Sequence, residues 1–218
     1  YQIDFDKWSL TGGLRGEYTF INSNSISLGK LDTQKYFELF PTASIHYELN
    51  KNSGLGLNYK RAIQRPRYQS LNPFKYFITE NNYNAGNPNL VPSIENKITL
   101  SYDYKNKLFF EFYYQHIKNS LSILTFQDNE NRVLRNLDAN LISDFQYSFD
   151  IVFVDSIKPW WFAQVVTSTY YLENEFYSVE SIEETYSNDT FGFYASMYSN
   201  FNLANSKPYK QWIENLRI

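Results

Sequence analysis

Two histidines, His46 and His116, are the side chains of this 218-residue sequence best suited to metal binding or proton transfer, and cysteine is absent. A metal centre needs three or four ligands converging from a helix face or hairpin, and neither histidine has partners at such a spacing. A Ser-His-acid triad needs its histidine on a wet face. His116 falls in an apolar register and His46 stands alone in a polar one, so neither is read as catalytic. No glycine-rich nucleotide loop occurs. The residues therefore point away from an enzyme, and no metal or cofactor is expected. Lack of cysteine also excludes disulfides and thiolate metal sites, and it suits an oxidising envelope.

The charged residues are more informative. From Lys51 to Thr79 every charge is basic: Lys51, Lys60, Arg61, Arg65, Arg67 and Lys75. From Glu173 to Asp189 every charge is acidic: Glu173, Glu175, Glu180, Glu183, Glu184 and Asp189. Both sets read as solvated loop segments, and the acidic one could draw divalent cations that bridge neighbouring lipopolysaccharide. The net charge of -3 gives no global attraction to nucleic acid or to anionic membranes.

The elements that carry these residues are strands. Twenty Tyr, 18 Phe and 4 Trp favour extended structure, although the mean hydropathy is -0.51. A membrane helix needs roughly 20 consecutive apolar residues. The longest apolar runs here, Ile151 to Val154 and Trp160 to Ala163, are four residues, which excludes a helical membrane protein. The sequence opens at Tyr1 without a signal segment, so location has to be argued from its body.

Apolar residues alternate with polar ones in eight stretches, each reading as a strand with one apolar face. They are Trp8 to Phe20, Phe37 to Leu49, Leu55 to Ile63, Ile98 to Tyr104, Leu108 to Tyr114, Phe145 to Phe153, Trp161 to Val165 and Phe191 to Met197. Tight turns at Asn50 to Ser53, Lys105 to Lys107 and Asp155 to Pro159 alternate with longer polar connections. The latter are Ile21 to Lys35, Gln64 to Pro92, Gln127 to Asn136 and Leu172 to Asp189. Short turns at one end and long loops at the other are the pattern of an outer-membrane barrel.

Register provides an internal check. If Tyr104 faces Leu108 across the turn, cross-strand partners share parity, and the even apolar residues of both strands lie on one face. The other face then carries Lys97, Thr99, Ser101 and Asp103 against Glu111, Tyr113 and Gln115, as a wet lumen would. A soluble antiparallel sheet with one buried face gives the same alternation. Aromatics near strand ends favour girdles at two membrane interfaces: Trp8, Tyr18, Phe20, Phe37, Tyr104, Trp160, Trp161, Tyr170 and Tyr171. Pro41 resists this reading, because it removes a ladder donor from the second strand.

The segment Tyr59-Lys-Arg-Ala-Ile-Gln-Arg-Pro-Arg-Tyr68, with Leu71-Asn-Pro-Phe74 and Gly86-Asn-Pro-Asn-Leu-Val-Pro92, resembles the TonB-dependent receptor-like outer-membrane barrel family. Leu14 to Thr19 and Phe40 to Ser44 also look like the strands that precede this motif there. The resemblance covers most of Trp8 to Leu203. It implies an all-β antiparallel up-and-down barrel of about 22 strands, of which residues 1–218 would supply about eight, without a plug domain. The end Asn215-Leu-Arg-Ile218 lacks the terminal aromatic usual in such barrels.

For the intact protein the resemblance implies energised import of scarce nutrients such as metal chelates or glycans, at the bacterial outer membrane. Implied partners are outer-membrane lipid and lipopolysaccharide, the remainder of the barrel and its plug, TonB, and a surface lipoprotein. Arg61, Arg65 and Pro66 belong to the motif, which gives them an architectural role at the rim. Ligand contact is expected, if anywhere in this chain, at Arg65, Arg67, Tyr68, Asn72 and Asn87. Two other classes stay open: a structural or assembly barrel, which would lack an upstream plug sequence, and a soluble glycan-binding sandwich, which would stay monomeric without detergent.

Two expectations concern local order. Strands should run roughly 9 to 16 residues, with helix only in loops such as Phe176 to Glu184. The connection Arg65 to Pro92 should be ordered and packed on the rim. Its four prolines lower the entropy lost on ordering, and Tyr68, Leu71, Phe74, Tyr76, Phe77 and Ile78 supply apolar surface to pack.

Overall fold

The computed structural model describes residues 1–25, 30–177 and 185–202. Strands β1 (Gln2–Phe5), β2 (Trp8–Ser25), β3 (Lys30–Asn50) and β4 (Ser53–Gln64) open the chain. A one-turn helix α1 (Tyr68–Leu71) and strands β5 (Lys75–Thr79) and β6 (Asn82–Ala85) lie in the connection to β7 (Ser93–Tyr104). After β8 (Leu108–Lys118) come β9 (Leu121–Asp128) and β10 (Val133–Asn140). The long strands β11 (Ser143–Lys158), β12 (Trp161–Tyr177) and β13 (Thr185–Phe201) follow. Nine strands form one antiparallel sheet in the order β1-β2-β3-β4-β7-β8-β11-β12-β13. It includes all eight strands read from the alternation. Among the described residues β13 pairs only with β12, so the sheet stays open.

Tyr104 does face Leu108, across the three-residue turn Lys105 to Lys107, in which Lys105 and Asn106 have φ of 54° and 53°. Positive φ at both central residues matches the strand twist of a tight hairpin. The register then carries one apolar face across the whole sheet. Leu57, Leu100, Phe112 and Phe149 stand in one row. Tyr59, Ile98, Tyr114, Tyr147, Tyr171 and Phe191 form the next. These faces are exposed: Leu100 is 50%, Phe112 46% and Phe191 74% accessible. Among the described residues only Phe40, Leu90, Leu141 and Ala163 are buried apolar side chains. A soluble sandwich would bury one face of each sheet, so this outward apolar band fits lipid and not a protein core.

Aromatic pairs mark the turn end of the band. Trp8 packs on Tyr47 at 4.4 Å, and Trp160, Trp161 and Phe201 stack together. Tyr170 departs from the girdle expected of it. It shares the lumen register, and its ring lies over Gly192, where a Cβ would collide with it. Pro41 is accommodated by its position. The β2–β3 ladder runs through Leu14↔Pro41 without a shift, whereas the β3–β4 ladder ends at Thr42↔Lys60, the adjacent pair. The missing N–H thus coincides with the end of pairing.

Several connections expected to be loops are strand. Ile21 to Ser25 continues β2, Lys30 to Lys35 begins β3, and Gln127 to Asn136 lies in the β9–β10 hairpin. The acidic stretch Leu172 to Asp189 is largely strand too: β12 reaches Tyr177 and β13 starts at Thr185, with Glu173 opposite Asp189. Four strands accordingly exceed 16 residues: β2 with 18, β3 with 21, and β12 and β13 with 17 each. The ladder is bonded through the backbone, so beyond the lipid it continues without any apolar alternation. The helix expected over Phe176 to Glu184 is strand at Phe176 and Tyr177, and residues 178–184 lie outside the described residues.

A second sheet, β5-β6-β10-β9, joins the connections that follow β4 and β8. Its centre is a parallel β6–β10 pair in which Asn136 is the fastener. Asn136 Nδ2 donates to Asn82 Oδ1 at 3.1 Å and Asn84 Oδ1 at 2.9 Å, and its Oδ1 accepts from Thr125 Oγ1 at 2.8 Å. Replacing Asn136 by Ala should raise hydrogen exchange in β6 while leaving β7 and β8 protected, since the three bonds are worth roughly 1–3 kcal/mol together. Unchanged exchange in β6 would show that other contacts hold the two connections.

The β9–β10 turn is closed by Asp128. Its carboxylate accepts from the Asn131 side chain at 2.8 Å and from the backbone N–H groups of Asn131 and Glu130. These bonds, that of the Asn131 side chain foremost, hold its pKa below the usual carboxylate range. A depressed pKa contributes stability above the unfolded value of about 3.9 and loses it as pH falls through the folded value. Acidification below about pH 4 should therefore fray residues 128–132 first, read as a local rise in the amplitude of amide chemical-shift change.

Candidate functional site

Because one face meets lipid, chemistry belongs to the opposite, lumen face and to the rim. Strand parity places Ser44, His46, Asn58, Lys60, Ser101, Asp103, Glu111, Tyr113, Ser148, Asp150 and Ser168 on the lumen wall. The His46 ring occupies space left by Gly54, where a Cβ would come within 2.6 Å of its Cε1 and 2.8 Å of Asp103 Oδ1. Gln146 Nε2 donates to the Tyr113 hydroxyl at 2.7 Å, and Ser148 and Ser168 both donate to Asp150. Lys97 Nζ sits 3.7 Å from the Tyr113 ring centroid. This is a hydrogen-bonded wall of amides, hydroxyls and charges suited to water. His116 is on the lipid side, stacked on Phe145 at 4.5 Å. The two histidines are thus on opposite faces of the sheet, and no group of three or more metal-ligating side chains is found among the described residues.

At the upper end the wall changes character, because β3 and β4 part beyond Thr42↔Lys60. Arginines bridge the interval. Arg61 Nη2 donates to Glu38 Oε2 at 2.7 Å. Arg65 Nη2 reaches β2, donating to Glu17 Oε2 at 2.6 Å and Thr19 Oγ1 at 3.0 Å. Arg15 Nε holds the other Glu17 oxygen at 2.8 Å. The Glu17 bond pushes the Arg65 pKa up, so that cation is permanent. Charge-assisted bonds thus tie three strands together where backbone pairing has stopped.

From Arg65 the chain runs along the rim. A cavity of about 110 Å³ lies between Ile21 and Gln34 of the β2–β3 ribbon and Arg65, Pro66, Leu71 and Pro92 of the connection. Leu90 is 2% exposed, and Asn140 brackets Val91 with two 2.9 Å bonds. Helix α1 is latched to the returning chain by Gly86 N–H to Asn72 O at 3.1 Å and Asn87 N–H to Ser70 O at 2.6 Å. The connection is therefore ordered on the rim, but of the apolar residues expected to pack there only Leu71 lines the rim cavity; Tyr68, Phe74, Tyr76, Phe77 and Ile78 stay exposed.

The five candidate ligand residues occupy distinct positions. Arg65 is committed to Glu17 and Thr19. Arg67 precedes α1 without a side-chain capping bond, and Tyr68 is 82% exposed. Asn72 Oδ1 accepts from Phe74 N–H and Asn87 Oδ1 from Asn89 N–H, both local turn bonds. The latch brings Asn72 and Asn87 together. Sequence reading missed Glu17, Glu38 and Arg15, whose proximity to the motif arginines depends on pairing across about 20 to 50 residues; only their polar register hinted at it.

Comparison with known proteins gives the same answer as the geometry. No curated protein matches the sequence. The fold is similar to that of the siderophore receptor PirA from Pseudomonas aeruginosa, with 13% identity and a TM-score of 0.58, over 94% of this chain and 41% of that one. It is similar also to the FrpB iron transporter from Neisseria meningitidis, at 11% identity and TM-score 0.51, over 92% and 37%. The ferric enterobactin receptor PfeA aligns at 13% and 0.51, over 78% and 28%. The chain spans less than half the length of each. The expected likeness to TonB-dependent receptor-like barrels is borne out. The family described as the outer membrane protein beta-barrel family matches residues 1–209. With an apolar face directed to lipid and a polar one to a lumen, this chain belongs to that outer membrane protein β-barrel family and resides in the bacterial outer membrane.

Proposed function

We propose that the chain is one arc of a larger barrel that imports scarce nutrients, metal chelates or glycans, across the outer membrane. The observation that carries this reading is a predominantly polar lumen wall on a fold shared with a siderophore receptor and an iron transporter. A purely structural barrel needs no continuous polar wall, although it would share the lipid face. Among the described residues, the edge at β1 and β2 and the edge at β13 are open, which supports completion by further strands, because unpaired backbone groups cannot face hydrocarbon. In the intact protein those strands enclose a plug, TonB supplies the energy, and a surface lipoprotein is a candidate partner. Rim residues Arg67, Tyr68, Asn72 and Asn87 are the exposed or latch-side candidates for first ligand contact, with Arg65 acting through the rim it holds.

Uptake measured in cells tests this. Cells bearing the intact protein should accumulate at least one labelled ferric chelate or oligosaccharide, and should lose that uptake when TonB is deleted. Equal uptake of the whole panel by cells with and without the protein would overturn the reading in favour of a structural barrel.

A further inference from the structure

The short-turn end of the sheet carries lysines beside the aromatics that close the lipid face. Lys7 directly precedes Trp8, Lys105 directly follows Tyr104, and Lys158 is the cross-strand partner of Trp161, on the same face as that ring. All three lysines are exposed. Backbone bonds tie the turns to their neighbours. Glu48 N–H donates to Lys7 O at 2.8 Å, Lys105 N–H to Asn52 O at 2.6 Å, Val154 N–H to Lys107 O at 2.7 Å and Asn202 N–H to Trp160 O at 2.8 Å. The lysines are therefore a fixed array and not the tips of independent loops.

Their charge is unspent. Two other lysines of this end have carboxylates at hand: Lys107 pairs with Asp155 at 2.8 Å, and Lys51 borders a polar hollow together with Glu48 and Asp103 of the lumen register. Lys105 borders the same hollow, but its ammonium is laid over the Tyr104 ring, 5.1 Å from the centroid. Lys7, Lys105 and Lys158 form no ion pair among the described residues, and Asp6, beside Lys7, is the one carboxylate within the described turns. Girdle aromatics sit at the level of the lipid headgroups. A lysine next to one lays its stem along the apolar surface and holds its ammonium among those headgroups. The anions within reach there are lipid phosphates, and an excess of unpaired cations favours a headgroup with net negative charge over a zwitterionic one.

We propose that the turn end of this sheet is a binding surface for anionic phospholipid, with Lys7, Lys105 and Lys158 holding the phosphodiester and Trp8, Tyr104 and Trp161 setting its depth. The proposal goes beyond the import reading and is independent of what is transported.

The test is site-resolved photolabelling of the intact, folded protein in phosphatidylcholine vesicles. Phosphatidylglycerol, and separately phosphatidylcholine, is supplied in trace amount with a photoreactive group near the headgroup, and the labelled peptides are mapped by mass spectrometry. At low salt, peptides containing Trp8, Tyr104 and Trp161 should take up phosphatidylglycerol about threefold or more over phosphatidylcholine, and raised salt should bring the ratio to about one. Combined Lys7→Gln, Lys105→Gln and Lys158→Gln should abolish the preference with the β-sheet circular dichroism unchanged, whereas arginine at the same three positions should keep it. Lys35→Gln with Lys118→Gln, toward the other end of the strands, should leave it intact. Should the glutamine variant fail to fold, the salt series on the unaltered protein decides. A ratio near one at low salt, a preference that survives in the folded glutamine variant or at raised salt, or one lost with Lys35 and Lys118 instead, overturns the proposal. Soluble peptidoglycan fragments that bind these turns while the lipid ratio stays near one would overturn it in favour of a cell-wall polymer.

Discussion

Replacing Phe112 by lysine is expected to lower the equilibrium constant for folding into the membrane roughly thirty-fold, whereas lysine at Glu111, the adjacent residue, is tolerated. Phe112 stands between Leu100 and Phe149 on the lipid face and is 46% exposed there. A lysine on that face costs about 2–4 kcal/mol at the bilayer midplane and less toward the interfaces. Since Phe112 lies one row inside Tyr114, the lower end applies, about 2 kcal/mol, and 1.4 kcal/mol is a factor of ten.

Glu111 points into the lumen, directly opposite Ser101 and Asp150. Two facing carboxylates repel, so a lysine there exchanges repulsion for attraction, worth roughly 0.2–1 kcal/mol. Folding into lipid vesicles at graded urea measures both. Equal destabilisation by the two substitutions would mean that the faces are inverted, and no adjustment of the barrel could rescue the assignment.

The second large effect is expected from Gly86→Ala. An ideal Cβ at Gly86 would lie 2.5 Å from the backbone oxygens of Asn72 and Ser70, and 2.8 Å from that of Gln69. These are backbone atoms, and they cannot rotate away as a side chain would. Gly86 and Asn87 also donate the two hydrogen bonds that close α1 onto the returning chain. Forcing one carbon into such a contact costs typically 1–3 kcal/mol, and here the two latch bonds are strained with it.

Exchange protection of Gly86, Asn87 and Leu90 should therefore fall by one to two orders of magnitude, while β4 and β7 keep theirs. Gly192→Ala provides the contrast. There the obstructing atoms belong to the outer end of the Tyr170 ring, which can swing into the lumen, and a smaller change is expected. Protection around Gly86 that is indifferent to the added methyl would show the latch to be dispensable for rim order.

What the sequence determined by itself was everything set by the solvent on either side of a strand. Period-two alternation exists because lipid and lumen select opposite side chains, so the eight crossings, the Tyr104–Leu108 register and the opposite faces of His46 and His116 could all be read locally. Alternation stops where lipid stops. Ile21 to Ser25 and Leu172 to Tyr177 were therefore read as loops, although the backbone ladder, indifferent to side chains, carries β2 and β12 through them.

Tertiary structure alone decided what depends on distant pairing. The parallel β6–β10 junction joins two connections through one Asn136, and no local signal marks an asparagine as a fastener. Tyr170 has the residue type of a girdle aromatic, yet its register in β12 puts it on the lumen face, where its ring lies over Gly192. Pro41 looked like an obstacle in sequence. In the fold it stands where β3 leaves β4, which opens the interval that Arg61 and Arg65 span to Glu38 and Glu17. Residue type told which side chains could form such bonds; only the strand order and register could bring them within 2.7 Å, because that proximity is a property of the sheet and of no single segment.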